Sequence, residues 1–288
     1  MNSKDSIPRD LVGKLNERGG YDPAYFKLLF DAEDRHFWFR ARKAIIAALV
    51  RRISPSPQTI LDVGCGTGTM LQILKRAYPR ETIVGMDLFT EALRYARRRT
   101  GCSRVRADAR FPPFSAQFDL IILLDVLEHL PDDVQVLRNL CDLLTDEGVL
   151  ILTVPAHSSL WSGFDEASGH YRRYELDEIR SKLTSAGYRV AYHTQFMATV
   201  FPLAWLMRRV ITPVRQRIRR NSAPACEVLA ELRVPRVIDK LLFFALTQEA
   251  RLIAQGRRLP IGASLLALAR PQGRKHNIPR AIQLDQKT

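Results

Sequence analysis

Ile60-Leu61-Asp62-Val63-Gly64-Cys65-Gly66-Thr67-Gly68-Thr69-Met70 decides the fold of this chain. An apolar strand runs into three glycines at alternate positions, and a helix-compatible stretch follows. Glycine lets the backbone turn sharply and approach a ligand closely, and the first turn of a helix offers free N–H groups. The stretch therefore predicts a strand, a tight turn and a helix that together cradle a nucleotide-like ligand. A dinucleotide fingerprint would place its third glycine at position 69, where this chain has Thr69. That difference argues against a nicotinamide dinucleotide and against a dehydrogenase.

Working outward, the strand-then-helix rhythm repeats. Strands are predicted over 59–63, 82–86, 103–106, 118–124, 149–154 and 188–194, with a last one over 263–269. Helices are predicted over 69–77, from Thr90 through the arginines at 97–99, from Pro131 to a stop at Gly148, and over 174–186 with Gly187 closing it. Residues 118–124 are wholly apolar after Asp119, as a strand covered on both faces requires. Repeated units of this kind give a mostly parallel sheet with helices on both sides. Asp62, Asp87, Asp108 and Asp125 then fall at the carboxyl ends of successive strands, where open α/β sheets bind ligands.

The chain of 288 residues carries a net charge of +14. Residues 201–288 hold 17 Lys and Arg against 5 Asp and Glu, so nearly all of that charge sits in the last third. The same region is apolar in blocks, at 196–207 and 241–246, and shows no strand pattern over 196–258. Prolines at 202, 213, 224 and 235 predict helices of about three turns. Short helices alternating apolar and basic residues suit an anionic membrane surface, and no run is long enough to span a bilayer. Cys65, Cys102, Cys141 and Cys226 form no paired motif, and the N-terminus carries no signal-peptide pattern. Both point to a reducing, cytoplasmic setting, and the apolar and basic segments predict a peripheral contact with the membrane.

Five ordered blocks carry a resemblance: 60–70, Gly85-Met86-Asp87, Ala107-Asp108-Ala109, FDLIILLDVLEHL at 118–130 and EGVLILTVP at 147–155. Together they resemble the motifs of class I S-adenosylmethionine-dependent methyltransferases. The resemblance implies an α/β, Rossmann-like, seven-stranded, mostly parallel sheet of order 3-2-1-4-5-7-6 with the last strand antiparallel. It also implies S-adenosyl-L-methionine as cofactor. Carried over by motif, Asp62, Gly64 and Gly66 would hold the amino-acid end of the cofactor. Asp87 would take the ribose hydroxyls, Leu88 would lie beside the adenine, and Asp108 with Ala109 would read the adenine edge. Asp125 would lie near the sulfonium. Cys65, Val126, Trp38 and Arg40 complete the expected cofactor contacts. His36-Phe37-Trp38-Phe39 with Arg40 and Arg42, and Gly169-His170-Tyr171-Arg172-Arg173-Tyr174, resemble a subgroup with an H-W-F entry helix and a G-H-x-R-R-Y loop.

The expected organisation is an N-terminal helical lid (1–57), a methyltransferase core (58–196 with 259–271), a basic amphipathic helical insertion (197–258) and a flexible tail (272–288). Residues 33–42 fit two readings, a lid over the ligand or a helix packing its aromatics on the core. His129, His157 and His170 are the candidate general bases, since histidine titrates near neutrality. Arg172 and Arg173 read as an anion clamp or a solvated face. The histidines and acids lack a compact ligand spacing, so no metal is expected. Base N-methylation usually needs a Pro-Pro-aromatic stretch directly after the fourth strand, and here Phe111-Pro112-Pro113-Phe114 precedes it. The expected reaction is O- or C-methylation of an apolar, lipid-linked or other small-molecule acceptor at a membrane surface. A nucleic-acid methyltransferase using the basic region, or a non-catalytic cofactor-binding scaffold, are the alternatives.

Overall fold

In the computed structural model, residues 25–53, 57–211 and 234–272 are described. The expectations for the N-terminal residues 1–24, the basic run at 215–220 and the tail from 273 lie outside them. The helices are α1 (Tyr25–Ala32), α2 (Phe37–Ile53), α3 (Thr69–Ala77), α4 (Thr90–Arg99), α5 (Asp133–Asp142), α6 (Gly163–Ala167), α7 (Leu176–Ser185), α8 (Phe201–Leu206) and α9 (Arg236–Ala254). The strands are β1 (Thr59–Val63), β2 (Thr82–Asp87), β3 (Ser103–Arg106), β4 (Phe118–Leu124), β5 (Leu144–Pro155), β6 (Tyr188–Phe196) and β7 (Ser264–Pro271).

The sheet order is β3-β2-β1-β4-β5-β7-β6. β1 pairs in parallel with β2 and β4, β2 with β3, and β4 with β5, while β7 runs antiparallel to both β5 and β6. The expected topology is therefore the observed one. Side chains alternate between two cores, as the two-residue period of a strand demands. Ile60, Leu120, Ile122 and Ile151 face one core with α2, α3 and α9. Leu61, Val63, Ile121, Leu123 and Leu152 face the other with α5 and α7. By that alternation Asp62 shares its side of the sheet with Ile60 and α2.

Three expectations need correction. The helix after Pro131 ends at Asp142, and Gly148 lies within β5, where an added Cβ would come 2.9 Å from Leu144 Cδ2 and 3.0 Å from the Phe118 carbonyl oxygen. Close packing against β4, and not a helix stop, accounts for that glycine. Helix α9 runs for 19 residues, since no proline follows Pro235 until Pro260. Helix α2 buries Ala41, Ile45, Ile46 and Leu49 against the sheet, so it forms a wall of the core. The element covering the glycine turn is α1 with the turn that follows it: Phe26 packs on Phe89 and Phe30 on Tyr95, at ring-centroid distances of 5.5 and 5.0 Å.

Helices α9 and α2 are tied together by charge as well as packing. Asp239 Oδ1 accepts the Phe37 N–H at 2.6 Å, satisfying a free donor at the start of α2. Arg40 pairs with Asp239 at 3.6 Å and lies over the Phe243 ring at 3.7 Å.

Candidate active site

The chain leaves β1 at Val63 and turns through Gly64, Gly66 and Gly68 with φ of 69°, 52° and 81°. The N–H groups of Gly64 and Cys65 both donate to the Met86 carbonyl, at 2.8 and 3.0 Å, so β2 anchors the turn. A Cβ at position 64 would lie 2.3 Å from Val126 Cγ2, and one at position 68 would lie 2.7 Å from Ala96 Cα. At position 66 a Cβ would meet nothing within 4 Å. Two of the three glycines are thus filled by protein, and the third faces open space.

Asp62 lies at the foot of this turn and is only 2% exposed. Among the described residues its Oδ2 has no hydrogen-bond partner. Burial first, then the charge of Asp87, pushes its carboxyl up to about 8, against a lowering pull from Arg42. Asp87 accepts the Gly66 N–H on Oδ2 at 2.8 Å and the Phe89 N–H on Oδ1 at 2.9 Å, and burial still raises it above the ordinary carboxylate range. An orphaned buried carboxyl oxygen beside an open glycine suits a cationic hydrogen-bond donor. The ammonium of an amino-acid moiety has that chemistry, so these residues fit S-adenosylmethionine.

The other sequence-derived positions spread around the same end of the sheet. Leu88 is 48% exposed, directly after Asp87. Asp108 is gripped by Arg110, whose Nη2 lies 2.6 Å from Oδ2, and this pairing holds its carboxyl below the usual range. Ala109 packs against the second core. The Cys65 thiol is buried and raised by burial and by Asp62 and Asp87, which leaves it unreactive. Trp38 packs on the first core, and Arg40 is drawn to Asp239 and Phe243.

Asp125 ends β4 in the left-handed region, with φ of 51°. A non-glycine residue there stores about 1–2 kcal/mol of strain. Three contacts hold it: its N–H donates to the Thr153 carbonyl at 3.0 Å, Oδ1 accepts the Thr153 hydroxyl at 2.9 Å, and Oδ2 pairs with Arg42 at 2.7 Å. Arg42 also reaches Thr153 Oγ1 at 3.3 Å. Above the glycine turn, Glu33 Oε2 accepts the hydroxyls of Thr67 and Thr69 and pairs with the buried Arg99 at 2.9 Å. Arg42, Glu33 and Arg99 are not among the site residues that the sequence predicts. One signal existed for Arg42: it sits three and four residues before Ile45 and Ile46, on the apolar stripe of α2.

The histidines divide. Both ring nitrogens of His157 are engaged, Nδ1 with Glu175 at 3.1 Å and Nε2 with Gln195 at 2.8 Å. His129 and His170 instead meet edge to face, with centroids 4.6 Å apart. Burial, then His170, lowers His129 to about 4. His170 Nδ1 lies 2.9 Å from Asp165 Oδ1. Burial raises Asp165, but the His170 hydrogen bond and the charges of Arg173 and Arg208 outweigh it and hold the group at about 2. Glu128, 1% exposed, lies beside both histidines, and its Oε2 is unpartnered among the described residues. Arg172, partly exposed, and Arg173, buried, are both committed to acidic side chains. Arg172 pairs with Asp133 at 2.9 Å and Arg173 with the buried Asp165 at 2.8 Å, so both brace the loop that carries His170.

A family model described as a methyltransferase domain matches residues 36–193, more than half of the chain. Among curated relatives, a malonyl-[acyl-carrier protein] O-methyltransferase of Legionella pneumophila is 33% identical over 42% of this chain and 46% of its own length. A probable S-adenosylmethionine-dependent methyltransferase of Mycobacterium tuberculosis is 25% identical over 55% of this chain and 58% of its own length. The chain thus spans about half the length of the curated relatives it matches. Among solved structures, the plantazolicin methyltransferase BamL, in complex with a triazolic desmethylPZN analog and SAH, superposes with a TM-score of 0.55. That match covers 91% of this chain and 98% of BamL at 15% identity, a likeness of fold.

Proposed function

Because the chain belongs to the class I S-adenosylmethionine-dependent methyltransferases, we propose that it methylates an oxygen or carbon of an apolar, lipid-linked or similar small molecule at a membrane surface. When bound, S-adenosylmethionine supplies a methyl group on a sulfonium, and in-line displacement passes that methyl to the acceptor and releases the neutral thioether. Asp62 and the open side of Gly66 would hold the amino-acid end. Asp87 would take the ribose hydroxyls with lone pairs that its two N–H bonds leave over. Asp125, fixed by Arg42 and Thr153, would lie near the sulfonium, where a carboxylate favours the cation of the bound donor. Positioning supplies most of the catalysis in such a displacement. Glu128, His129 and His170 are the polar groups placed to handle the acceptor's proton. Relatives named for O-methylation, on malonyl-[acyl-carrier protein] and in ubiquinone biosynthesis, support an oxygen acceptor.

One observation carries the membrane reading. Val237, Leu241 and Phe244 are 71%, 64% and 68% exposed and recur at helical spacing on one stripe of α9, whose opposite side buries Leu246, Ala250 and Ile253. Leu203, Trp205, Leu206 and Met207 on and after α8 are exposed as well, beside Arg208 and Arg209. Apolar side chains flanked by arginine and lysine match an anionic interface. Arg208 also donates to the Leu160 carbonyl at 3.0 Å and approaches Asp165 at 3.8 Å, linking this surface to the loop of His170. No described helix is long and apolar enough to cross a membrane. The test is flotation with phosphatidylglycerol and with phosphatidylcholine vesicles. Wild type is expected to float with the anionic vesicles, and a Val237→Ser, Leu241→Ser, Phe244→Ser triple variant to stay behind. Equal recovery of both proteins overturns the reading. Incubation with labelled S-adenosylmethionine and a lipid extract, followed by mass spectrometry, identifies the acceptor.

A further inference from the structure

We propose that Glu128, His129 and His170 form a binding site for a divalent transition-metal ion on the acceptor side of the methyl-transfer centre. One carboxylate oxygen and one nitrogen from each histidine lie within 4.8 Å of one another. The 3-10 turn Leu127–His129 after β4 supplies two ligands and the 163–174 loop supplies the third, so no compact spacing in the sequence announced the site. The two segments are locked together, since the Tyr171 N–H donates to the Glu128 carbonyl at 2.8 Å.

Two features point to a ligand here. First, Glu128 Oε2 is fully buried and unpartnered among the described residues, so the histidines beside it do not satisfy it. Second, His170 has the outer contact typical of a metal-bound imidazole: its Nδ1 lies 2.9 Å from the buried carboxylate of Asp165. That contact fixes the His170 ring and leaves its Nε2 for a cation. Asp165 is itself braced by Arg173 at 2.8 Å, so its position is set before any ion arrives.

The donor set selects the cation class. Two imidazoles and one carboxylate suit Zn²⁺, Fe²⁺, Co²⁺ or Ni²⁺ better than Mg²⁺ or Ca²⁺, which prefer oxygen throughout. Three protein ligands leave at least one coordination position open, as catalytic sites do. An acceptor hydroxyl or enol oxygen in that position would lose its proton to solvent more readily and would be held as an oxygen nucleophile, so the three groups would then act on the proton through the ion and not as free bases. This last step rests on the methyltransferase reading; the metal site itself does not.

The experiment uses the tag-free full chain, stripped with EDTA and titrated with Zn²⁺ alone, without donor or acceptor. One Zn²⁺ per chain is expected, with binding weakened at least 100-fold in Glu128→Gln and in His170→Asn and kept in His157→Asn. Cobalt substitution should give a visible band of a nitrogen- and oxygen-ligated ion, absent from the first two variants. Asp165→Asn should weaken binding 10- to 100-fold. Circular dichroism and titration with S-adenosylhomocysteine establish that each variant is folded. Absence of stoichiometric Zn²⁺ at micromolar concentration, or equal binding by folded His170→Asn, overturns the proposal. Zinc binding by a chain that labels nothing in the lipid extract would sink the lipid-acceptor reading and leave the site standing.

Discussion

Replacing the turn glycines one at a time by alanine separates fold from ligand. An L-residue held at positive φ costs about 1–2 kcal/mol, and both Gly66 and Gly68 carry that cost. At position 68 the new methyl would also overlap the α4 backbone, 2.7 Å from Ala96 Cα, where overpacking adds about 1–3 kcal/mol. Gly68→Ala is therefore expected to lose about 2–5 kcal/mol and Gly66→Ala only about 1–2 kcal/mol. At about 2–4 °C per kcal/mol for a chain of this size, the two melting points should separate clearly. Binding should show a different order. The methyl at position 66 projects into open space on the turn that follows the orphaned Asp62, the place proposed for the amino-acid end of the cofactor. Gly66→Ala should weaken S-adenosylhomocysteine at least tenfold, or about 1.4 kcal/mol, while staying folded. Thermal melts without ligand and calorimetry with S-adenosylhomocysteine give both quantities. Wild-type affinity in Gly66→Ala, or a Gly68→Ala melt no lower than that of Gly66→Ala, refutes the assignment.

Asp62 supplies the pH dependence. Its carboxyl is raised to about 8, so at pH 7 the ligand-free protein holds it protonated; a cationic ligand favours the anion, and binding should release a proton. Calorimetry at pH 7 in buffers of different ionisation enthalpy measures that release, which should vanish in Asp62→Asn. The sign for stability is the reverse of the common carboxylate case. The ligand-free fold loses stability as pH rises from about 4 toward 8, and a wild-type melting point that falls no further than that of Asp62→Asn over this range would contradict it. Asp239→Ala removes the acceptor at the start of α2 and the partner of Arg40, and should cost about 1–2 kcal/mol in urea denaturation with cofactor affinity unchanged. Asp133→Asn breaks a buried carboxylate that receives Arg172, Lys182 and the Tyr174 hydroxyl, at 2.9, 2.9 and 3.0 Å. A loss of about 3 kcal/mol is expected, the low end for a buried pair because both cations are partly exposed.

The parts of the fold that rest on local chemistry could be read from the chain. β1 and β4 have the observed bounds because each is a short, mostly apolar segment whose side chains are buried on both faces. The acids at 62, 87, 108 and 125 all lie within two residues of the carboxyl ends of their strands. Illegible features depend on partners distant in sequence. Nothing near Glu33 announces that it accepts hydroxyls from the glycine turn. The start of β5 at Leu144 escaped because the apolar face of α5 continues without a break into the strand. Arg172 and Arg173 resembled an anion site because their acidic partners, Asp133 and Asp165, become neighbours only when the loop folds back. The pairing of Glu128 with two histidines is of the same kind.

The distribution of buried charge argues for the cofactor more strongly than the turn does. Asp62, Asp87 and Glu128 are 2%, 7% and 1% exposed at one end of one sheet, with Asp125 beside them. Arg42 is committed to Asp125, and Asp62 and Glu128 each keep an oxygen without a partner among the described residues. Buried acids resolve such a surplus with a proton, a cationic ligand or a metal. A dinucleotide would bring a negatively charged pyrophosphate into this cluster, which excludes it on firmer grounds than Thr69 in place of glycine. S-adenosylmethionine would bring an ammonium and a sulfonium, one to the Asp62 end and one to Asp125. That pairing leaves the carboxyl of Glu128, which burial and then Asp125 raise well above the ordinary carboxylate range, so a proton answers it in the ligand-free protein. A cation held by Glu128, His129 and His170 would take the place of that proton.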